Sequence, residues 1–117
     1  LGEGPVAERV ARIVASRVRL HDEVAPMVRA TLQRAPTNAI LRESHERNLA
    51  ALRRQVEAMF APELGALAAE PALEVAATLD SLLSFQSIEH LRRIRGFSAA
   101  ATRRTLARAV TDVLAAG

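Results

Sequence analysis

The chain has no cysteine, no tryptophan and no tyrosine, and aromatic residues make up only 3% of its 117 positions. Without cysteine there is no disulfide framework, no thiolate zinc site and no cysteine nucleophile. So few aromatics argue against a stacking platform for single-stranded nucleic acid, which relies on aromatic faces. Long hydrophobic runs are also missing. Arg or Glu interrupts every apolar stretch, so no transmembrane helix and no membrane partner are expected. No secretory leader is visible, and the cytoplasm is the default location. Strand-like alternation is absent, and turn dipeptides are few. There is no glycine-rich phosphate loop, no metal-ligand spacing and no Ser-His-Asp arrangement. No cofactor is therefore expected, and an enzyme is disfavoured because no pair of catalytic groups is evident.

What is present is ordinary for a single globular domain spanning 1–117: half the residues are hydrophobic and a quarter charged. All sixteen basic residues are arginine, so the high isoelectric point follows largely from a group that does not titrate. The arginines are interspersed with acids, and pairs such as Arg53-Arg54, Arg92-Arg93 and Arg103-Arg104 diverge by about 100° on a helix. They read as a solvated surface rather than a nucleic-acid patch.

The pattern predicts an all-α chain of five helices punctuated by proline. The first runs from about Pro5 to His21, with Val6, Val10, Ile13 and Leu20 on one face. The second runs from about Asp22 to Arg34, with Val24, Met27, Val28 and Leu32 inward. These two are alternatively one long helix; a kink or brief break at Pro26 is the expectation, because proline removes the bond to the Asp22 carbonyl. The third spans about Asn38 to Phe60, capped by Thr37, with Leu41, Leu49, Leu52, Val56 and Met59 as its stripe. A short connector covers Pro62 to Ala68. The fourth runs from Pro71 to Gly96, a residue suited to the left-handed position past a helix end. The fifth starts after Ser98, with Leu106, Val110, Val113 and Leu114 inward and Arg104, Arg108 and Asp112 opposite.

The middle of the fourth helix is apolar almost all round, with no charge from Ser81 to Ile88. A helix apolar on all sides is buried on all sides. A chain this small has few elements to surround it, and a second copy supplies the simplest cover. A homodimer through a four-helix bundle is expected. Leu83, Ser84, Ser87, Ile88 and Leu91 would face the partner from the fourth helix, with Leu106, Val110, Val113 and Leu114 from the fifth.

Taken in order, these segments resemble the C-terminal part of TetR-family transcriptional regulators. The resemblance rests on Phe85, Glu89, Leu91-Arg92, Arg95-Gly96 and Ser98 within 79–114, on HDEVAPMVRATLQRAP at 21–36, and on VEAMFAPEL at 56–64. It implies the dimerisation and effector-binding domain of a repressor. The family's N-terminal helix-turn-helix has no counterpart here, so DNA contact would belong only to that absent part. The implied mechanism is a population shift: a small, mostly apolar ligand between the first, third and fourth helices favours a spacing of the DNA-binding heads that no longer fits the operator. The competing expectation is a dimeric helical interaction module without ligand.

Polar residues on apolar stripes mark the candidate pocket. Arg17 falls in the line of Val10, Ile13 and Leu20, and His45 in the line of Leu41, Leu49 and Leu52. Either Arg17 snorkels to the surface and His45 bonds a backbone carbonyl, or both orient a ligand. The candidate ligand-binding set is Arg17, His21 and Met27 from the first two helices, His45, Leu49, Leu52 and Met59 from the third, and Leu82, Phe85 and Glu89 from the fourth. An arginine there would prefer an anionic or carbonyl-bearing end, and the walls an apolar body, so the expected effector is small and amphipathic. Asp80, Ser81, Ser84, Gln86 and Ser87 interrupt the fourth helix; they either let two helices approach closely or face a ligand.

Overall fold

The computed structural model describes residues 2–117, and among them every regular element is helical. Helix α1 is Val6–Arg34, followed by a 3₁₀ turn at Ala35–Thr37. Helix α2 is Ala39–Met59, α3 is the short Ala61–Gly65, and α4 is Ala69–Leu82. Helix α5 is Phe85–Glu89 and continues into a π turn at His90–Ile94; α6 is Ala99–Ala116. The expectation of five helices is thus corrected in two places.

The first correction is that the predicted first and second helices are one. Helix α1 runs through Pro26 for 29 residues. Proline costs it one hydrogen bond, and Pro26 faces solvent, where water can serve the freed carbonyl. The neighbouring Ala25 is buried, and side chains on both sides of Pro26 tie the helix to the rest of the fold. Those ties outweigh the local cost.

The second correction is that the predicted fourth helix breaks at Leu83 and Ser84. Ser84 has an extended backbone (φ −72°, ψ 160°), and its Oγ accepts from the Ser87 N–H at 3.2 Å while donating to the Ser81 carbonyl at 2.7 Å. It caps a new helix rather than continuing the old one. The break explains the apolar wheel. Two short pieces at different rotations direct Leu79, Leu83 and Ile88 into the same core, where each is at most 1% exposed. Leu83 and Ile88 of the bare stretch are therefore buried within their own chain, while Ser81 and Gln86 remain exposed.

Smaller details follow from the caps. Asn38, not Thr37, starts α2: its Oδ1 accepts from the Leu41 N–H at 3.1 Å, whereas the Thr37 hydroxyl donates to the Arg34 carbonyl inside the 3₁₀ turn. Gly96 holds φ +70° just past the π turn, and Ser98 Oγ accepts from the Ala101 N–H at 3.0 Å, both as the sequence predicts.

The core lies where α6 crosses the N-terminal half of α1. Val10, Ile13, Val14 and Val18 meet Leu106 and Val110, with Val56, Met59 and Phe60 from the end of α2. Val6 and Leu20, expected inward, are each 40% exposed at the margins of that stripe. Arg9 closes the lower end. Its guanidinium forms a bidentate pair with Glu63 (2.7 and 2.8 Å) and donates to the Met59 carbonyl, a clasp between α1 and α3. The two hydrogen bonds hold the Glu63 carboxyl below its ordinary range.

Candidate functional site

Above this filled core the molecule is hollow. A cavity of about 390 Å³ lies between the C-terminal half of α1, the middle of α2 and the α4–α5 break. Its walls are apolar: Val24 and Val28 from α1, Leu49, Ala51 and Leu52 from α2, and Phe85 from α5. Leu20, Met27 and Leu49, each 40% exposed or more, mark its mouth. The floor is polar. Arg17, His21, Asp80 and Ser84 line it beside Leu83 and Ile88.

The break in the helix creates much of that floor. A helix end leaves carbonyls without intrahelical partners. Arg17 reaches across from α1, and its Nη1 donates to the Leu83 carbonyl at 3.1 Å while Nη2 donates to the Leu52 carbonyl at 2.8 Å. It is only 4% exposed, so it does not snorkel to the surface. Burial pulls the guanidinium pKa below its ordinary value, and the charge of Asp80 works against that shift. Asp80 itself is half-buried and, among the described residues, makes no hydrogen bond or close ion pair. His45 is half-buried on the α2 wall without the backbone partner expected for it.

A charged latch closes the upper end. His21 is 5% exposed, lies 5.0 Å from the Phe85 ring, and contacts Glu89 through Nε2 at 2.9 Å and Asp22 through Nδ1 at 3.4 Å. Glu89 also accepts two bonds from Arg29, at 2.6 and 2.9 Å, with Arg93 at 3.6 Å. The Arg29 bonds, helped by His21, hold the Glu89 carboxyl down to about 2. A carboxylate that stays ionised can only accept, so His21 Nε2 carries the proton in this contact. Asp22 is lowered as well, chiefly by its bidentate pair with Arg92, which donates in turn to the Phe97 carbonyl. Two acid–arginine pairs thus join α1 to α5 and the π turn.

The predicted ligand set divides cleanly. Arg17, His21, Met27, His45, Leu49, Leu52 and Phe85 come together on the cavity. Met59, Leu82 and Glu89 do not line it. Met59 lies at the far end of α2 within the core, and Leu82 packs on the core just before the break. Arg29 holds Glu89 in a separate, solvent-facing groove shared with Leu32, Gln86 and Ile94. Of the residues expected at a dimer interface, Leu83, Ser84 and Ile88 line this cavity within the single chain. Leu106 and Val110 are 2% and 0% exposed within the single chain. Leu91, Val113 and Leu114 are half-buried against the core, and Ser87 is half-buried on α5.

The residues that sequence reasoning did not foresee are mainly Arg9 and the role of Asp80. Arg9 gives no local signal, because Glu63 lies 54 positions away. Asp80 does give one: it is an isolated acid beside a charge-free run. Among the described residues no group of three or more His, Cys, Asp or Glu side chains is arranged to hold a metal ion. None of the described helices is long and apolar enough to cross a membrane. Compared with known proteins, the chain matches no family model, no curated protein and no solved structure.

Proposed function

We propose that this chain is the effector-sensing and dimerisation domain of a TetR-like transcriptional repressor. It takes a small, mostly apolar molecule, and DNA contact belongs to an N-terminal helix-turn-helix part. The observation that supports the reading best is the hollow between α1, α2 and the α4–α5 break. Its apolar walls and small group of convergent polar side chains are what a small-molecule site needs. The resemblance of 79–114 to the end of that family supports the rest.

The mechanism is a population shift. A ligand in the cavity touches the C-terminal half of α1, α2 and the break at once, so it favours whichever arrangement of these elements fits around it. It changes repression only by the difference in its affinity for two arrangements. In a homodimer that difference reaches both DNA-binding heads.

A dimeric interaction module without ligand is the second reading. Ile40, Leu73 and Ile94, exposed at 78%, 72% and 69%, are large apolar side chains that such a module would offer a partner. Native mass spectrometry of the protein purified from its source organism separates the two. The repressor reading expects a dimer carrying a retained small molecule. A dimer that stays empty across preparations supports the interaction module, and a monomer sinks both.

A further inference from the structure

The cavity's polar groups define the head of the molecule it accepts. Asp80 contributes a half-buried carboxylate that makes no hydrogen bond or close ion pair among the described residues. A carboxylate offers only acceptors. Any occupant that displaces water from it without donating a hydrogen bond leaves those acceptors unmet. Arg17 is the only arginine on the lining among the described residues, and its charge is already met by Asp80 while two of its five N–H donors are committed. Its two terminal nitrogens serve the Leu83 and Leu52 carbonyls, and Asp80 already offsets its charge. The charges of Arg17 and Asp80 offset one another, and His21, the other basic group held against acids, is committed to Glu89 and Asp22. A second carboxylate would enter beside Asp80 with no uncommitted cation to receive it. His45 and Asn48 can each donate or accept, so they do not choose between heads.

We propose that the cavity selects a molecule with an apolar body and a hydrogen-bond-donating head, such as an alcohol, which Asp80 receives, and that it rejects carboxylates. This reverses the anionic preference that Arg17 implies when read from sequence alone. It rests on the cavity being a ligand site, as proposed above.

The test titrates the whole chain with octan-1-ol, its isomer 1-methoxyheptane and octanoate, following backbone amide shifts by NMR. These probes share an apolar chain and differ in the head: donor, acceptor only, and anion. The alcohol should bind roughly tenfold to a hundredfold more tightly than either of the others. Its largest shifts should fall at Leu49, Leu52 and Phe85. Asp80→Asn keeps the size of the side chain and removes its charge, so the gap between the alcohol and octanoate should collapse. Octanoate binding as tightly as the alcohol to the wild type would overturn the selectivity and leave the ligand site standing, as would an unchanged ratio in Asp80→Asn. If none of the three probes shifts the cavity amides, the ligand site fails and the selectivity with it.

Discussion

The two halves of α1 are held by different forces. From Val10 to Val18 the helix presents valine and isoleucine to a packed core; of the two buried arginines in this half, Arg9 is spent on a clasp at the edge and Arg17 on the Leu83 and Leu52 carbonyls. From His21 to Arg29 it presents an apolar wall to empty space, and His21, Asp22 and Arg29 anchor it through partners on α5 and the π turn. The lower half is stabilised by area removed from water, the upper half by geometry between charges. Dispersion and burial tolerate salt and acid, whereas charge pairs do not. One helix therefore carries a firm end and an adjustable end, and the cavity sits at the adjustable one.

The sharpest way to break this contrast is to delete side chains on either side of it. Phe60→Ala empties a fully buried site in the filled half and should cost about 3–5 kcal/mol in urea unfolding. Leu49→Ala trims the mouth of a space already empty, and should cost below about 1 kcal/mol. Equal losses would erase the distinction.

Arg17 sits where the halves meet. Arg17→Met leaves the Leu83 carbonyl without a donor and takes a second bond from the Leu52 carbonyl, which keeps its helical partner, and a loss of about 1–3 kcal/mol is expected from thermal or urea unfolding. Arg17→Lys should recover only part of it, since an ammonium lacks the planar fork that spans both carbonyls. No loss in Arg17→Met would mean that water from the cavity serves those carbonyls equally well.

Acid should act mainly on the upper half, because the lower half has one such pair, Arg9 with Glu63, at its edge and is otherwise held by burial. Glu89 is depressed from 4.5 to about 2 in the folded chain, so its contribution is complete above pH 4.5 and fades as the pH falls towards 2. Asp22 shifts in the same direction. Amide hydrogen exchange over 24–34 should accelerate across that window while 10–18 stays protected, and Glu89→Gln should flatten the dependence. Uniform acceleration along α1 would show that the two halves open together.

Much of this was legible in the sequence, wherever a residue acts on its near neighbours. Ser98 and Gly96 mark their helix ends because capping depends on local backbone alone. Arg17 and His45 betray the cavity because a polar side chain on an apolar stripe must meet something other than packed hydrocarbon. Pro26 misleads, since its local penalty is outweighed by ties from Asp22 and Arg29 to residues some sixty to seventy positions away. Ser84 is hidden by its surroundings: within a charge-free run it resembles a small packing residue, and only its backbone reveals a cap. The all-round apolar wheel of the predicted fourth helix has a source that periodicity does not reveal: the break lets one chain bury Leu79, Leu83 and Ile88 together.

Helix α1 packs more extensively on α6 than on any other element. Of these six helices α6 is synthesised last. At ribosomal rates, roughly 4 to 16 s separate the completion of α1 from that of its chief partner. Throughout that interval Val10, Ile13 and Val14 lack the part of their native surface that Leu106 and Val110 supply. The nascent chain waits with this stripe only partly covered, and a message cut short before Ala99 yields a product that never completes the cover. The dependence of the first helix on the last leaves the core incomplete until translation has passed α6.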